Sequence, residues 1–210
     1  EDAIDVMTVG SSSLLVSVSP LVMWDAQGIT SYSRCTSVQA PLITYYNVTE
    51  GLEYQNPEVV IIGTMYLFDE YDVDKEENES YLRATMDTRR LSKQKLEAIS
   101  AIVQKSDYQT WFDYLFPIIR HHDRWASLNE DVFYREFHYT RGYLPVYKLE
   151  VMEDQRNMTP VDQPAAVNED SAYYYGKAIE ACLEKGCKVL LLTAPRVDWT
   201  YAEYLAIQQL

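Results

Sequence analysis

Three consecutive serines, Ser11 to Ser13, follow Gly10 at the end of the apolar run IDVMTV, residues 4 to 9. A hydroxyl presented on a tight turn beyond a buried strand can serve as the nucleophile of acyl transfer, and Gly10 and Ser12 have the Gly-x-Ser spacing such a turn needs. Two other readings fit the same residues: a plain strand-to-helix turn, and a cradle of backbone N–H groups for an anion. The cradle is the poorer reading. No Gly-Lys-Ser/Thr follows, and no second and third glycine stand at dinucleotide-binding spacing. The choice is therefore between a turn and a nucleophile.

A serine hydroxyl attacks poorly at neutral pH without a base in reach. The chain holds three histidines, His121, His122 and His138. His122, within the cluster His121-His122-Asp123-Arg124-Trp125, is the candidate base; the competing reading is a pair of histidines packed at a helix end beside Trp125. Metal binding is not expected there, because adjacent histidines on a helix diverge, whereas ligands at i and i+4 share a face. Cys35, Cys182 and Cys187 are too few and too scattered for a disulfide scaffold and lack zinc-ligand spacing. Asp69, Asp72 and Asp74 loosely resemble a calcium loop, but the turn glycine and closing glutamate are missing, so a solvated acidic loop is the better reading. No cofactor is implied. The tyrosine-rich stretches TYYN and SAYYYG fit either a sugar-stacking surface or, as such residues more often do, helices packed on a sheet.

The elements that must hold these residues alternate between strand and helix. The run 4 to 9 reads as a buried parallel strand. Ser19-Pro20 then caps a short helix, PLVMWDAQ, ending at Gly28. ITSYSRC is a second strand, Pro41 opens a helix reaching about Gln55, and EVVIIGTM is a third strand. Near the end, DSAYYYGKAIEACLEKG has helical spacing with a glycine past its last turn, CKVLLLTA (187 to 194) is a fourth buried strand, and WTYAEYLAIQQL starts another helix. Alternation of this kind predicts an α/β domain: a parallel sheet covered by helices on both faces. Residues 67 to 167 break the pattern. They contain the acidic stretch DEYDVDKEENES, read as a loop, a helix KQKLEAISAIVQ capped by Ser92, and the aromatic stretch from Tyr108 to Leu128; from about 139 to 168 no period is visible. The expectation is one domain, 1 to 210, with a largely helical insertion over 67 to 167.

At 210 residues the chain is long enough for a substantial core. Its 18 Lys and Arg against 32 Asp and Glu give a net charge of -14, which opposes nonspecific attraction to nucleic acid or anionic membranes. Nucleic acid is excluded as an expected partner. No apolar run is long enough to span a bilayer, so membrane association is expected only through an anchor outside this chain. The abrupt start at Glu1 fits a chain from which a leader or anchor has been removed, and equally a naturally short N-terminus.

The segment VGSSSLLVSVSPLVMWDAQGITSYSRCTSVQAPLITYYNVTEGLEYQNPEVVIIG resembles the SGNH (GDSL-like) hydrolase superfamily. It is most similar to the extracytoplasmic bacterial branch related to the D-alanyl-lipoteichoic acid and alginate O-acetylation proteins. In that branch the first strand ends in Gly-x-Ser, followed by a Pro-x-x-Leu/Met-Trp helix and a strand with a "GI.SYN" pattern. LSKQKLEAI, FPIIRHHDRW.SL and RGYLP in the insertion echo the same branch.

The resemblance implies a three-layer α/β/α, flavodoxin-like parallel sheet. It implies Ser12 as nucleophile, Gly10 as the glycine permitting close approach, and backbone N–H groups as an oxyanion hole. The family's second donor is a glycine aligned with Cys35. Its third is an asparagine in a Gly-x-Asn-Asp block, where this chain has Gly63-Thr64-Met65-Tyr66. The family's Asp-x-x-His falls after one more strand, beyond Leu210, so the domain is expected to be incomplete at that end. The alginate relatives use Asp-x-His-Trp, whose order differs from the cluster here. The implied function is a serine esterase or O-acyltransferase on small-molecule or glycan esters of the cell envelope, outside the cytoplasm. The alternative is a noncatalytic module of the same fold that binds glycan or aids assembly.

Overall fold

The computed structural model describes residues 4–117, 139–147 and 153–209. Four strands form one wholly parallel sheet: β1 (Val6–Val9), β2 (Ser31–Ser33), β3 (Val59–Gly63) and β4 (Lys188–Leu192), in the order β2-β1-β3-β4. The predicted strands 4 to 9, 58 to 64 and 187 to 194 are thus neighbours, with Val6 opposite Val59 and Val59 opposite Lys188. The last of them, expected to be buried, is largely exposed, because among the described residues it is the edge strand, with Leu190 and Leu191 open to solvent. The order reverses direction between β1 and β3, as in flavodoxin-like doubly wound sheets. With helices flanking the sheet, this is a three-layer α/β fold.

Side-chain alternation along the strands builds two cores. Met7, Val9, Val60 and Ile62 face one way and pack on Val48 and Leu52 of α3 (Pro41–Tyr54) and on Tyr175, Ala178 and Cys182 of a later helix, Glu169–Glu184. Val6 and Ile61 face the other way, against Leu14 and Leu15 of α1 (Ser12–Leu15), with Met23 of α2 (Pro20–Gln27) packed alongside. The predicted punctuation explains where α2 runs: Ser19 Oγ accepts the Val22 N–H, Pro20 opens the helix, and Gly28 closes it at φ +71°.

Three helices lie between β3 and the Glu169–Glu184 helix among the described residues: α4 (Glu76–Thr88), α5 (Lys93–Lys105) and α6 (Trp111–Leu115). They build a third core. Leu82, Met86, Ala98, Ile99, Ile102 and Tyr114 close against Ala40, Leu42 and Ile43, at the start of α3. The stretch DEYDVDKEENES is a loop only in its first half. From Glu76 onward it is the opening of α4, where Glu76, Glu77 and Glu79 sit at the positive end of the helix dipole. A run of acids that reads as a solvated loop is also what a helix start favours.

The helix Glu169–Glu184 becomes α7, capped by Asn168, whose Oδ1 accepts the Ser171 N–H at 3.0 Å. Its tyrosines mostly pack rather than face water. Tyr45, Tyr46 and Tyr174 form a ring cluster with centroids 4.9 and 6.4 Å apart, Tyr175 is buried, and Tyr173 is exposed. The last helix, α8 (Tyr201–Gln208), begins at a reciprocal cap between Thr200 and Glu203. No helix of the described residues is long and apolar enough to cross a membrane.

Candidate active site

Ser12 stands at the reversal point of the sheet, one turn beyond the carboxyl end of β1, where ligands of doubly wound sheets bind. Two glycines make this corner possible. A Cβ on Gly10 would lie 3.0 Å from Gly63 Cα, and one on Gly63 would lie 3.0 Å from Leu14 Cδ2. The ends of β1 and β3 therefore approach with no side chain between them, and α1 folds down onto both.

The three serines have different environments. Ser11 is the N-cap residue of α1: its carbonyl accepts the N–H groups of Leu14 and Leu15 at 3.1 Å each. It is 2% exposed, and its hydroxyl accepts the Gln39 N–H at 3.1 Å. Ser11 is structural. Ser13 is half-buried, and its carbonyl accepts the Ser17 hydroxyl. Ser12, also half-buried, is the first helical residue, and its hydroxyl has no hydrogen-bond partner among the described residues. Ser13 Oγ likewise has no hydrogen-bond partner among the described residues, so Ser12 and Ser13 both keep an uncommitted hydroxyl at the switch point, and Ser12 is the one at Gly-x-Ser spacing from Gly10.

Cys35 sits beside this corner but turns its thiol inward. The side chain packs with Val6, Leu14, Leu15 and Ile61, and burial pushes the thiol up to about 12 despite hydrogen bonds offered by Ser33 and Gly10. A thiol so held is not a nucleophile at neutral pH. The Cys35 N–H donates to Ser33 Oγ at 3.4 Å, while the neighbouring Thr36 N–H donates to the Gly10 carbonyl at 3.2 Å. The β2 exit is thereby stitched to the serine turn.

At the ends of β3 and β4 lies a polar cluster that the sequence reading missed. The Thr64 and Thr193 hydroxyls share a hydrogen bond of 2.5 Å. Arg196 donates to the Met65 carbonyl at 3.3 Å and pairs with Asp69 at 3.2 Å, Asp198 at 3.2 Å and Glu203 at 2.7 Å. Ser13, Thr64, Thr193, Arg196 and Glu203 line a crevice of only about 10 Å³, room for a water rather than a substrate. The one local signal for it is the run TAPRVDW immediately after an apolar strand.

The acidic residues read as a solvated loop rather than a calcium site have protein partners. Asp69 pairs with Arg196, while Asp72 Oδ1 accepts the Asp74 N–H at 2.8 Å. Burial pushes the Asp74 carboxyl up, but hydrogen bonds donated by Ser106 Oγ, the Asp107 N–H and Gln109 Nε2 outweigh it and hold the group below its usual range. Asp74 fastens the acidic loop to the α5–α6 connection. His121, His122 and His138 lie outside the described residues.

The RGYLP stretch, whose surroundings showed no period, backs the site. The Arg141 carbonyl accepts the Ser33 N–H at 2.9 Å, continuing the edge of β2, and the Leu144 N–H donates to the Leu15 carbonyl at 3.0 Å. Gly142 makes this contact possible, since at φ +82° a Cβ would lie 2.0 Å from the Ser33 carbonyl oxygen. Across known proteins, no family model matches the chain, and no curated protein or solved structure is similar enough to count as a match.

Proposed function

We propose that this chain is an SGNH-like serine esterase or O-acyltransferase with Ser12 as its nucleophile. The observation that carries the reading is the placement of Ser12: a half-buried, uncommitted hydroxyl on the first turn beyond β1, at the reversal point of a parallel sheet. In this reading Ser12 Oγ attacks an ester carbonyl carbon and passes its proton to a histidine, for which His122 is the candidate within this chain. The bond to the alkoxy oxygen breaks, and the leaving alcohol takes the proton. Water or a sugar hydroxyl then releases the acyl group, giving hydrolysis or transfer. The Ser12 N–H, at the first position of α1, is one donor for the developing oxyanion. Substrate class, esters of cell-envelope polysaccharide or glycolipid, and a site of action outside the cytoplasm rest on the sequence resemblance alone.

A noncatalytic glycan-binding or assembly module is the second reading. What favours it is that the Cys35 N–H, at the position of the family's second oxyanion donor, is already directed to Ser33. Intact-mass spectrometry after a fluorophosphonate probe separates the two. A single adduct on the wild type that disappears in Ser12→Ala supports the enzyme. A folded, unlabelled wild type favours the module.

A further inference from the structure

Apart from the serine turn, a groove of about 580 Å³ runs along the exit of β2 between α3 and the α4–α5 connection. Its lining includes Arg34, Arg89 and Arg90 against one carboxylate, Glu50. In a chain of net charge -14, a formal +2 gathered in one concavity is out of character with the rest of the molecule.

The pairing inside the groove is incomplete. Glu50 Oε2 accepts from both Arg34 and Arg89, and Oε1 accepts the Ser92 hydroxyl at 2.8 Å, so one carboxylate serves three donors. The Arg89 side chain is only 7% exposed; its Nη2 reaches Glu50 at 2.9 Å and the Tyr46 carbonyl at 3.2 Å. In this groove, Arg34 Nε, Arg89 Nε and Arg89 Nη1 are buried with no hydrogen-bond partner among the described residues. Buried donors are ordinarily paired, and a buried cation without full compensation is unfavourable. Burial accordingly lowers the Arg89 pKa, although Glu50 opposes the shift. Two guanidinium groups share the one carboxylate, and a third, Arg90, stands exposed on the rim.

We propose that this groove binds an organic anion through a phosphate or carboxylate group. Arg34 and Arg90 present the accessible charge, and Arg89 lies beneath with its unpaired donors. Tyr54 and Tyr32, 68% and 41% exposed, offer flat faces for the body of the ligand. Cys35 and Thr36 close the end nearest Gly10. The proposal does not depend on Ser12 acting as a nucleophile.

Isothermal titration calorimetry at low salt tests it with three probes that share a sugar ring: glucose 6-phosphate, glucuronate and neutral glucose. At least one anion is expected to bind with a Kd below about 1 mM, and glucose is expected to bind at least tenfold more weakly. Whether the phosphate or the carboxylate binds more tightly identifies the source of the anion. Arg90→Gln, at an exposed position outside the Glu50 pairing, is expected to weaken binding at least tenfold while melting like the wild type. Arg34→Gln, which also removes a Glu50 partner, is expected to weaken binding at least tenfold at a temperature where circular dichroism shows it folded. Ser12→Ala is expected to bind unchanged. The proposal is overturned if neither anion binds the folded wild type by about 10 mM, if glucose binds as tightly as the anions, or if both arginine variants bind as well as wild type.

Discussion

Single residues decide the shape of the corner that holds Ser12, and glycine substitutions test this most directly. Gly142 combines a left-handed backbone with a Cβ position 2.0 Å from the Ser33 carbonyl, so Gly142→Ala must move either its own loop or the β2 exit. The expected loss is about 2 kcal/mol or more in urea unfolding. Gly176, inside α7, has nothing within 4 Å of where a Cβ would go. There Gly176→Ala is expected to stabilise by about 0.5 to 1 kcal/mol, the ordinary helix preference for alanine. Equal effects at both positions would defeat the argument, since it rests on their different surroundings. The site is legible in sequence to the same uneven degree. Gly10 and Ser12 can be read because a strand end followed by Gly-x-Ser is a local signal. Gly142 cannot, because its necessity comes from Ser33, a residue far away in the chain.

At the scale of elements, caps and breakers locate α2, α3 and α5 from sequence alone. Ser19-Pro20, Pro41 and Ser92 each act within a few residues of themselves. The start of α4 is easily misread, because glutamates describe a solvated loop and a helix N-terminus equally well. The ties between elements are invisible, since Arg34, Glu50 and Arg89 are brought together only by the fold. That tie joins the β2 exit, α3 and the α4–α5 connection, and it makes stability depend on pH. Burial alone would raise the Glu50 pKa, but the Arg89 hydrogen bond and charge, with help from Ser92 and Arg34, hold it below the ordinary 4.5. A carboxylate depressed on folding contributes its full stability above its unfolded pKa and loses it as pH falls through the lower folded value. Glu50→Gln is therefore expected to cost about 3 kcal/mol at pH 7, by leaving two guanidinium groups without their carboxylate. It is also expected to flatten the decline of wild-type stability as pH falls from about 5 to about 3. A variant that declines as steeply as wild type, in urea unfolding at each pH, would show that the tie contributes nothing to acid stability.

For the whole molecule, the question is whether the insertion is an appendage or part of one folding unit. Composition and periodicity separate residues 67 to 167 from the rest, but the packing joins α4, α5 and α6 of that stretch to the sheet through α3. Val48 and Leu52 of that helix fill the core over the sheet, while Leu42 and Ile43 fill the core made with α4, α5 and α6. Neither core closes without α3, so loss of one exposes the apolar side chains on which the other depends. The protein is therefore expected to unfold in a single calorimetric transition. Met86 is fully buried in the insertion core, with no direct part in the sheet core. Met86→Ala should cost about 2 to 5 kcal/mol and move that single transition down by several degrees, because a cavity in one core weakens the unit that both cores share. If the insertion were an independent appendage, the same substitution would split the trace, with an early transition displaced and a later one left at the wild-type temperature.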